Sequence, residues 1–333
     1  MKRTDLIKLI SPLPPSIWGH ILLRAGNGKV EAISVSDTLS MSMSMPCEDK
    51  PWAVAPKCDT LKTALSGLTG DDVALDIGDT LQIASKGKRR VACIKVSLFP
   101  ELPKIAGDAV TVSGRQLREA IAFVRGCAYS KIDRPHLVGV HLNGNDVVAS
   151  NGSVLRHFLM DAKLPKVTIP PATAALLVKI LPEEDVSVKA NERQLCVEWD
   201  SGSLTTGLAP AGFPPAYADM LRNWSGNPIE AQADELSRAV SAVSAFAGSV
   251  TKPIYINCGN NITLSCSDAE EPLDMVQWAH EPRKILLNGG MLAEMLNAYG
   301  KDVVTVTLKP GEVDPLLFSD SSGRKGILLP MRQ

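Results

Sequence analysis

The chain has 333 residues, enough for two or three domains; 45% are hydrophobic but only 5% aromatic, so its cores must be aliphatic. Lys plus Arg total 35 and Asp plus Glu 36, a formal net charge of −1. That balance excludes a protein that coats nucleic acid by bulk basicity, and it leaves open charge sorted by face.

The N-terminal run Met1-Lys2-Arg3-Thr4-Asp5-Leu6-Ile7-Lys8 begins as a signal peptide does. Asp5 and Lys8 interrupt its apolar segment, and no small-residue cleavage site follows. No uncharged apolar stretch approaches the ~18 residues of a membrane span, so a cytoplasmic location is expected, without membrane attachment. Residues 4–10 carry a helical pattern. Ile21 to Gly28 followed by Val30 to Asp37 reads as a β-hairpin, because Asn and Gly tolerate the positive φ of a tight turn. A helix is expected at 59–68 with Asp59 as N-cap, and a strand-like stretch closes at Phe99-Pro100. The order then repeats. A helix at 113–125 starts at Ser113 and carries the stripe Leu117, Ala120, Ile121, Val124. A hairpin follows over Val138 to Asn151 with its turn at Asn143-Gly144-Asn145, then a helix at 170–181 opening on Pro170-Pro171, then Phe213-Pro214. The third round has a helix at 233–246, a hairpin from Ile254 to Asp268, a helix at 288–299 capped by Asn288, and Leu329-Pro330. The polar residues Asp37, Asn151 and Asp268 lie 114 and 117 apart, and the three prolines 114 and 116 apart. Two landmarks sharing a period near 115 predict three diverged copies of one unit. Each unit alternates helices with period-two strands, so the fold class is α+β, with helices on one side of antiparallel sheet. The divisions fall near 104–108 and 222–228, giving domains 1–105, 106–224 and 225–333.

The seven cysteines form no C-x-x-C pair and read as reduced, structural thiols. His136 and His141 fall five apart on an expected strand, hence on opposite faces, and no metal site is expected. Glu183-Glu184-Asp185 and Glu270-Glu271 read as solvated acids in turns. There is no phosphate loop and no nucleophile elbow, so neither a cofactor nor enzymatic activity is expected.

The stretch Val147-Val148-Ala149-Ser150-Asn151-Gly152-Ser153-Val154-Leu155 resembles the Ala-Thr-Asp-Gly-x-x-Leu signature of the bacterial β sliding clamps, the DNA polymerase III beta subunit family. Gly212-Phe213-Pro214 followed by Tyr217 is similar to that family's Phe-Pro-x-Tyr, and Leu329-Pro330-Met331-Arg332 to its terminal Met-Pro-Met-Arg. The chain departs from the family in three places. The first copy lacks the family's opening strand, Ser153 and Val154 replace residues that are often His and Arg, and Asp219 stands where a basic residue is frequent after a segment one residue longer. These departures suggest a divergent clamp of phage or mobile-element origin.

The resemblance implies three tandem clamp-type domains that close into a ring as a head-to-tail homodimer, a DNA-replication processivity factor. Its implied partners are duplex DNA, held without sequence preference, a DNA polymerase, a clamp loader, and other clamp-motif replication and repair proteins. Basic residues lining the hole would attract phosphates. Arg115, Arg118 and Arg125 share the polar side of the 113–125 helix; Lys8, Lys62, Lys179 and Arg238 are further candidates, as are Lys2 and Arg3. Lys131 and Arg134 correspond to a DNA-approaching loop of the family. Each of these also reads as an ordinary solvated charge. A peptide pocket between the second and third copies would comprise Leu137, Ser150, Gly152, Val154, Leu155, Pro214, Met220, Ile327, Leu329, Pro330, Met331 and Arg332, whose bland alternative is core and turn structure. Phe246 is implied at the dimer seam. Two rival functions are a clamp-fold decoy that binds replication partners without encircling DNA, and a small-molecule-binding α+β enzyme. The repeat speaks against the enzyme, because no copy carries a distinctive acid, base or nucleophile cluster.

Overall fold

Amphipathic periods become helices at six of the seven places where the computed structural model has them. It describes residues 1–333 apart from 15, 17, 49, 223, 249, 260, 278, 279 and 333, with backbone alone at 274–277. The helices among these residues are α1 (Arg3–Ile10), α2 (Cys58–Ser66), α3 (Gly114–Arg125), α4 (Pro171–Ile180), α5 (Tyr217–Met220), α6 (Ala233–Ser244) and α7 (Gly289–Asn297). Only the one-turn α5 lacks a counterpart in the sequence reading. In α3 the stripe Leu117, Ala120, Ile121 and Val124 is buried, and in α7 Leu292, Met295 and Leu296 are. The Asn288 side chain accepts from Met291 N at 3.0 Å, and Ser113 Oγ from Gln116 N at 3.3 Å. Pro171 opens α4, where a missing N–H leaves nothing unpaired. Asp59 is not a cap: α2 begins one residue earlier, and Gly19 O accepts from Cys58 N at 2.8 Å in place of a side chain. Asp59 instead contributes negative charge to the first turn.

By contact density the chain divides into two compact units, Met1–Arg118 with Ala175–Leu208, and Glu119–Ala174 with Ala209–Gln333. The first holds an eleven-stranded sheet. In it the strand Leu39–Pro46 pairs antiparallel with Gly202–Gly207, joining first-copy strands to second-copy strands. Its main core packs α1 and α2 through Leu6, Leu9, Ile10, Leu61 and Leu65 onto Leu23, Val30, Met41 and Val54. The second unit holds a six-stranded and a four-stranded sheet, again built from antiparallel pairs. The acids Glu270-Glu271 lie in the strand Glu270–Gln277 rather than in a turn, and His136 sits in a 3-10 turn, Pro135–Leu137, rather than on a strand.

Backbone bonds show the three copies directly. The first residue of each leading helix donates to an equivalent turn: Arg3 N to Asp71 O at 2.7 Å, Gly114 N to Glu184 O at 3.0 Å, and Ala233 N to Asp302 O at 3.0 Å. Each copy also closes a tight reversal, Ser36 N to Leu39 O at 2.9 Å, Asn151 N to Val154 O at 3.1 Å and Cys266 N to Ala269 O at 2.8 Å. These turn residues are 115 and 115 apart, which corrects the register read from Asp37, Asn151 and Asp268. The error has a physical source: Ser36 Oγ and Asn151 Oδ1 do the same capping job, accepting from Leu39 N at 3.1 Å and Val154 N at 2.8 Å.

The first hairpin turns at Asn27-Gly28, with φ of 52° and 75°, as expected. The third turns between Gly259 and Asn261; Asn260 lies outside the described residues. The second departs. Val140–Ser150 is one strand, paired along its length with Val154–Ile169, and the bend expected at Asn143-Gly144-Asn145 is taken up where the register shifts, with Gly144 at φ 60°. The tight reversal comes later, at Asn151-Gly152-Ser153.

Candidate functional site

Directly paired residues of adjacent strands point to the same face of a sheet. In the second unit this rule aligns one row across four strands: Ser150 opposite Leu155, Leu155 opposite Ile327, and Ile327 opposite Leu317. Leu137, Val148, Leu155, Phe213, Tyr217, Leu317 and Ile327 form one buried cluster, with Tyr129, Ala218, Leu221 and Trp224 partly buried against it. The helical turn α5 brings Tyr217 to the row, with Phe213 just before it. At its open side Met220 is 42% and Leu329 36% exposed, two large apolar side chains left available beside a packed floor. Pro214, Pro330 and Met331 are half-buried, and Arg332 is exposed. The terminal segment is fixed by backbone bonds from Leu329 N to Ser153 O at 2.9 Å and from Met331 N to Leu286 O at 2.8 Å.

Of the predicted pocket residues, the structure brings Leu137, Leu155 and Ile327 into the cluster. Ser150 and Gly152 shape the hairpin tip. Ser150 Oγ donates to Val154 O at 2.8 Å and accepts from Gly152 N at 3.1 Å. Gly152 has φ 92°, and a Cβ there would lie 2.5 Å from Arg134 Nη1. Val154 is buried but out of phase with Leu155, so it turns to the opposite face. Sequence reasoning missed Val148, Leu317, Tyr217 and Trp224 as cluster members. Tyr217 and Phe213 carried a signal as landmarks; Leu317 carried none beyond an apolar run.

A polar network adjoins this floor on the same face, where His157 pairs with Val148. His157 Nε2 meets Asp146 Oδ1 at 2.7 Å, Tyr217 OH donates to Asp146 Oδ2 at 3.0 Å, and Asn143 Nδ2 donates to Tyr217 OH at 2.9 Å. His157 Nδ1 is buried and has no hydrogen-bond partner among the described residues, so a proton there would be unsatisfied. Burial accordingly lowers the His157 pKa, against the opposing pull of Asp146. His141 is stacked on Phe213 with ring centroids 5.2 Å apart and bonds Thr168 Oγ1 at 2.9 Å. Burial, aided by Lys166, pushes its pKa down to about 4.

The candidate DNA contacts divide by what already holds them. In the first unit Lys8 and Lys179 are exposed, and Arg115 is exposed with its charge acting on Glu183. Arg118 donates to Leu181 O at 3.1 Å and pairs with Glu183, Lys62 donates to Leu13 O at 3.1 Å, and Arg3 donates to Gly70 O and Leu65 O. In the second unit Arg125 and Lys131 are exposed, and Arg238 is exposed with Glu235 at 3.8 Å. Arg134 leans over the Tyr129 ring, 5.8 Å from its centroid, with Nη1 3.5 Å from Asn151 O. Its guanidinium thus lies at the hairpin tip of the apolar cluster. Phe246 is 59% exposed. Among the described residues no group of three His, Cys, Asp or Glu is placed to hold a metal ion. No helix among them is long and apolar enough to cross a membrane.

This architecture is the fold of the bacterial β sliding clamps, and the likeness runs the whole length of the chain. A DnaN sliding clamp from Bartonella birtlesii, solved bound to griselimycin, superposes with a TM-score of 0.89 at 20% identity, covering 100% of this chain and 99% of that one. The Caulobacter crescentus beta sliding clamp, solved with PEG bound, gives 0.88 at 19% identity over 100% and 98%. The DNA polymerase III subunit beta of Pseudomonas aeruginosa gives 0.87 at 17% over 100% and 99%. No protein-family model and no curated protein matches the sequence.

Proposed function

We propose that this chain is a DNA sliding clamp, a non-enzymatic processivity factor that encircles duplex DNA and tethers replication proteins. The observation that carries this reading is the end-to-end likeness in fold to solved clamps, at coverage of 98–99% of their chains. In this reading residues 1–105, 106–224 and 225–333 are the three domains, and two cytoplasmic copies join head to tail with Phe246 at the seam. The exposed cations Arg115, Arg125, Lys131, Lys8, Lys179 and Arg238 would hold phosphates loosely, as a ring that slides requires, since topology rather than affinity retains the DNA. Arg118, Lys62 and Arg134 would add to this lining only by leaving their present contacts. The cluster around Leu155 and Ile327 is the groove into which polymerase, clamp loader and other clamp-motif proteins would place apolar anchors; one such anchor contributes roughly 1.5–3 kcal/mol.

The test is retention on closed circular DNA after loading by a clamp loader, followed by linearisation. A sliding ring stays on circles and is lost from linear ends; equal loss from both would sink the proposal. One observation favours the decoy as a second reading: Arg3, Lys62 and Arg118 are already engaged within the chain, and the net charge is −1. A monomer whose sedimentation does not change with concentration would support that reading over the ring.

A further inference from the structure

Arg156 is out of phase with Leu155, so it lies on the opposite face of the sheet from the apolar cluster. It is only 6% exposed, and helices α3 and α7 cover it. Nη1 donates to Phe123 O at 3.2 Å and Nη2 to Glu294 O at 2.6 Å, within the last turn of α3 and in the C-terminal half of α7. Gly126 leaves it room, since a Cβ there would lie 2.7 Å from Nη1.

A guanidinium carries five N–H donors, and these two carbonyls use only part of that capacity. Nε is buried with no partner among the described residues, and no carboxylate pairs with Arg156 among them. Carbonyls near helix C-termini offset some of the charge. A buried cation without a counter-charge is still costly. Arg156 also lines a cavity of about 610 Å³, with Phe123, Phe158, Ala122 and Ala298 as apolar wall. Arg156 and Arg324 both approach the Phe123 ring, their guanidinium carbons 5.9 and 5.5 Å from its centroid. The two differ in one respect: Arg324 is matched by Asp302 and Asp320. The exposed acids Glu119 and Glu294 line the same cavity. Their charge disfavours a dianion more than a monoanion, and the apolar wall favours a ligand that brings hydrocarbon.

We propose that this cavity binds a small organic carboxylate, whose oxygens accept from N–H groups of Arg156 that the two carbonyls leave unused and whose apolar body rests against Phe123 and Phe158. The test is a ligand-observed NMR titration of benzoate on the full chain at neutral pH and constant ionic strength. A dissociation constant on the order of 1 mM is expected from one charge-assisted contact and one ring face. Arg156→Met keeps the volume and removes the charge, a change that buried sites often tolerate, and should weaken binding about tenfold. Its folding is checked by circular dichroism. Glu294→Gln alters an exposed side chain and leaves the carbonyl that Arg156 uses; it should tighten binding about twofold to fivefold by removing a like charge. Acetate should displace benzoate better than sulfate does. No saturation below about 20 mM, or an unchanged affinity in folded Arg156→Met, overturns the site; an Arg156 that only caps the two helices gives the first result, and benzoate held elsewhere gives the second. Should Arg156→Met not fold, Glu294→Gln decides, and an affinity no tighter than that of the unaltered chain overturns the proposal. Displacement by sulfate equal to or stronger than that by acetate overturns the assignment to a carboxylate.

Discussion

The first unit contains the same row of positions as Ser150, Leu155, Ile327 and Leu317 in the second, filled with different side chains. There Val35 lies opposite Ser40, Ser40 opposite Thr205, and Thr205 opposite Cys196. With the 115-residue period, Val35 matches Ser150 and Ser40 matches Leu155; Thr205 and Cys196 take the places of Ile327 and Leu317. Phe99 packs beside its row with Ile33, Val35 and Ala55, as Phe213 packs beside the other. Backbone pairing thus puts four side chains on one face in both units, yet only the second fills that face with large aliphatic groups. The scaffold fixes where a floor can be built. The residues at Leu155, Ile327 and Leu317 decide that it becomes apolar.

Alanine substitutions should separate the two rows most sharply. Leu155→Ala and Ile327→Ala remove buried aliphatic groups and should each cost about 2–5 kcal/mol in urea unfolding. Ser40→Ala and Thr205→Ala should each cost only about 1 kcal/mol. Equal losses in the two rows would erase the distinction.

Acid should find the second row before the first. His141 pairs with Thr168 across its strands as Arg24 pairs with Ala53 in the first copy. Arg24 is half-exposed and ion-paired to Glu31. His141 is buried, and its folded pKa of about 4 lies below the unfolded value of 6.5. The unfolded chain therefore binds the proton first. The stability this contributes is complete above pH 6.5, falls as the pH drops through that value, and is gone below about 4. The loss amounts to about 3 kcal/mol. Urea midpoints at pH 7 and pH 4.5 should converge partly in His141→Gln; an unchanged difference would show that other groups carry the acid sensitivity.

The smallest effect concerns the tips. Asn151 Oδ1 accepts from both Ser153 N and Val154 N, whereas Ser36 Oγ accepts from Leu39 N and donates to Leu39 O. Asn151→Ala and Ser36→Ala should therefore cost about the same, each about 1 kcal/mol by thermal unfolding, and a clear difference would mean that one tip depends more on its cap.

Local chemistry explains what the sequence made legible. Helical stripes, the Asn27-Gly28 turn and the Ser113 and Asn288 caps depend on residues close together in the chain, and the threefold period is the recurrence of such local patterns. Membership of the apolar cluster depends on pairing between residues far apart, such as Leu155 with Ile327 and Ile327 with Leu317, and a lone apolar run does not announce its partner. The same limit hid the engagement of Lys62 with Leu13 O and of Arg118 with Leu181 O, since both look like free surface cations in a helical pattern. Asn143-Gly144-Asn145 misled for the opposite reason: its turn chemistry is genuine, but the long ladder with Val154–Ile169 absorbs it as a register shift.

The pairing of Leu39–Pro46 with Gly202–Gly207 also bears on how this chain can be divided. A fragment lacking the first copy would strip Gly202–Gly207 of one of its two partners and leave the N–H and C=O groups on that side as an open edge, a template for pairing between chains. Three repeats in sequence are therefore not three separable parts, and protein cut at residue 105 would be prone to association through that newly bared strand.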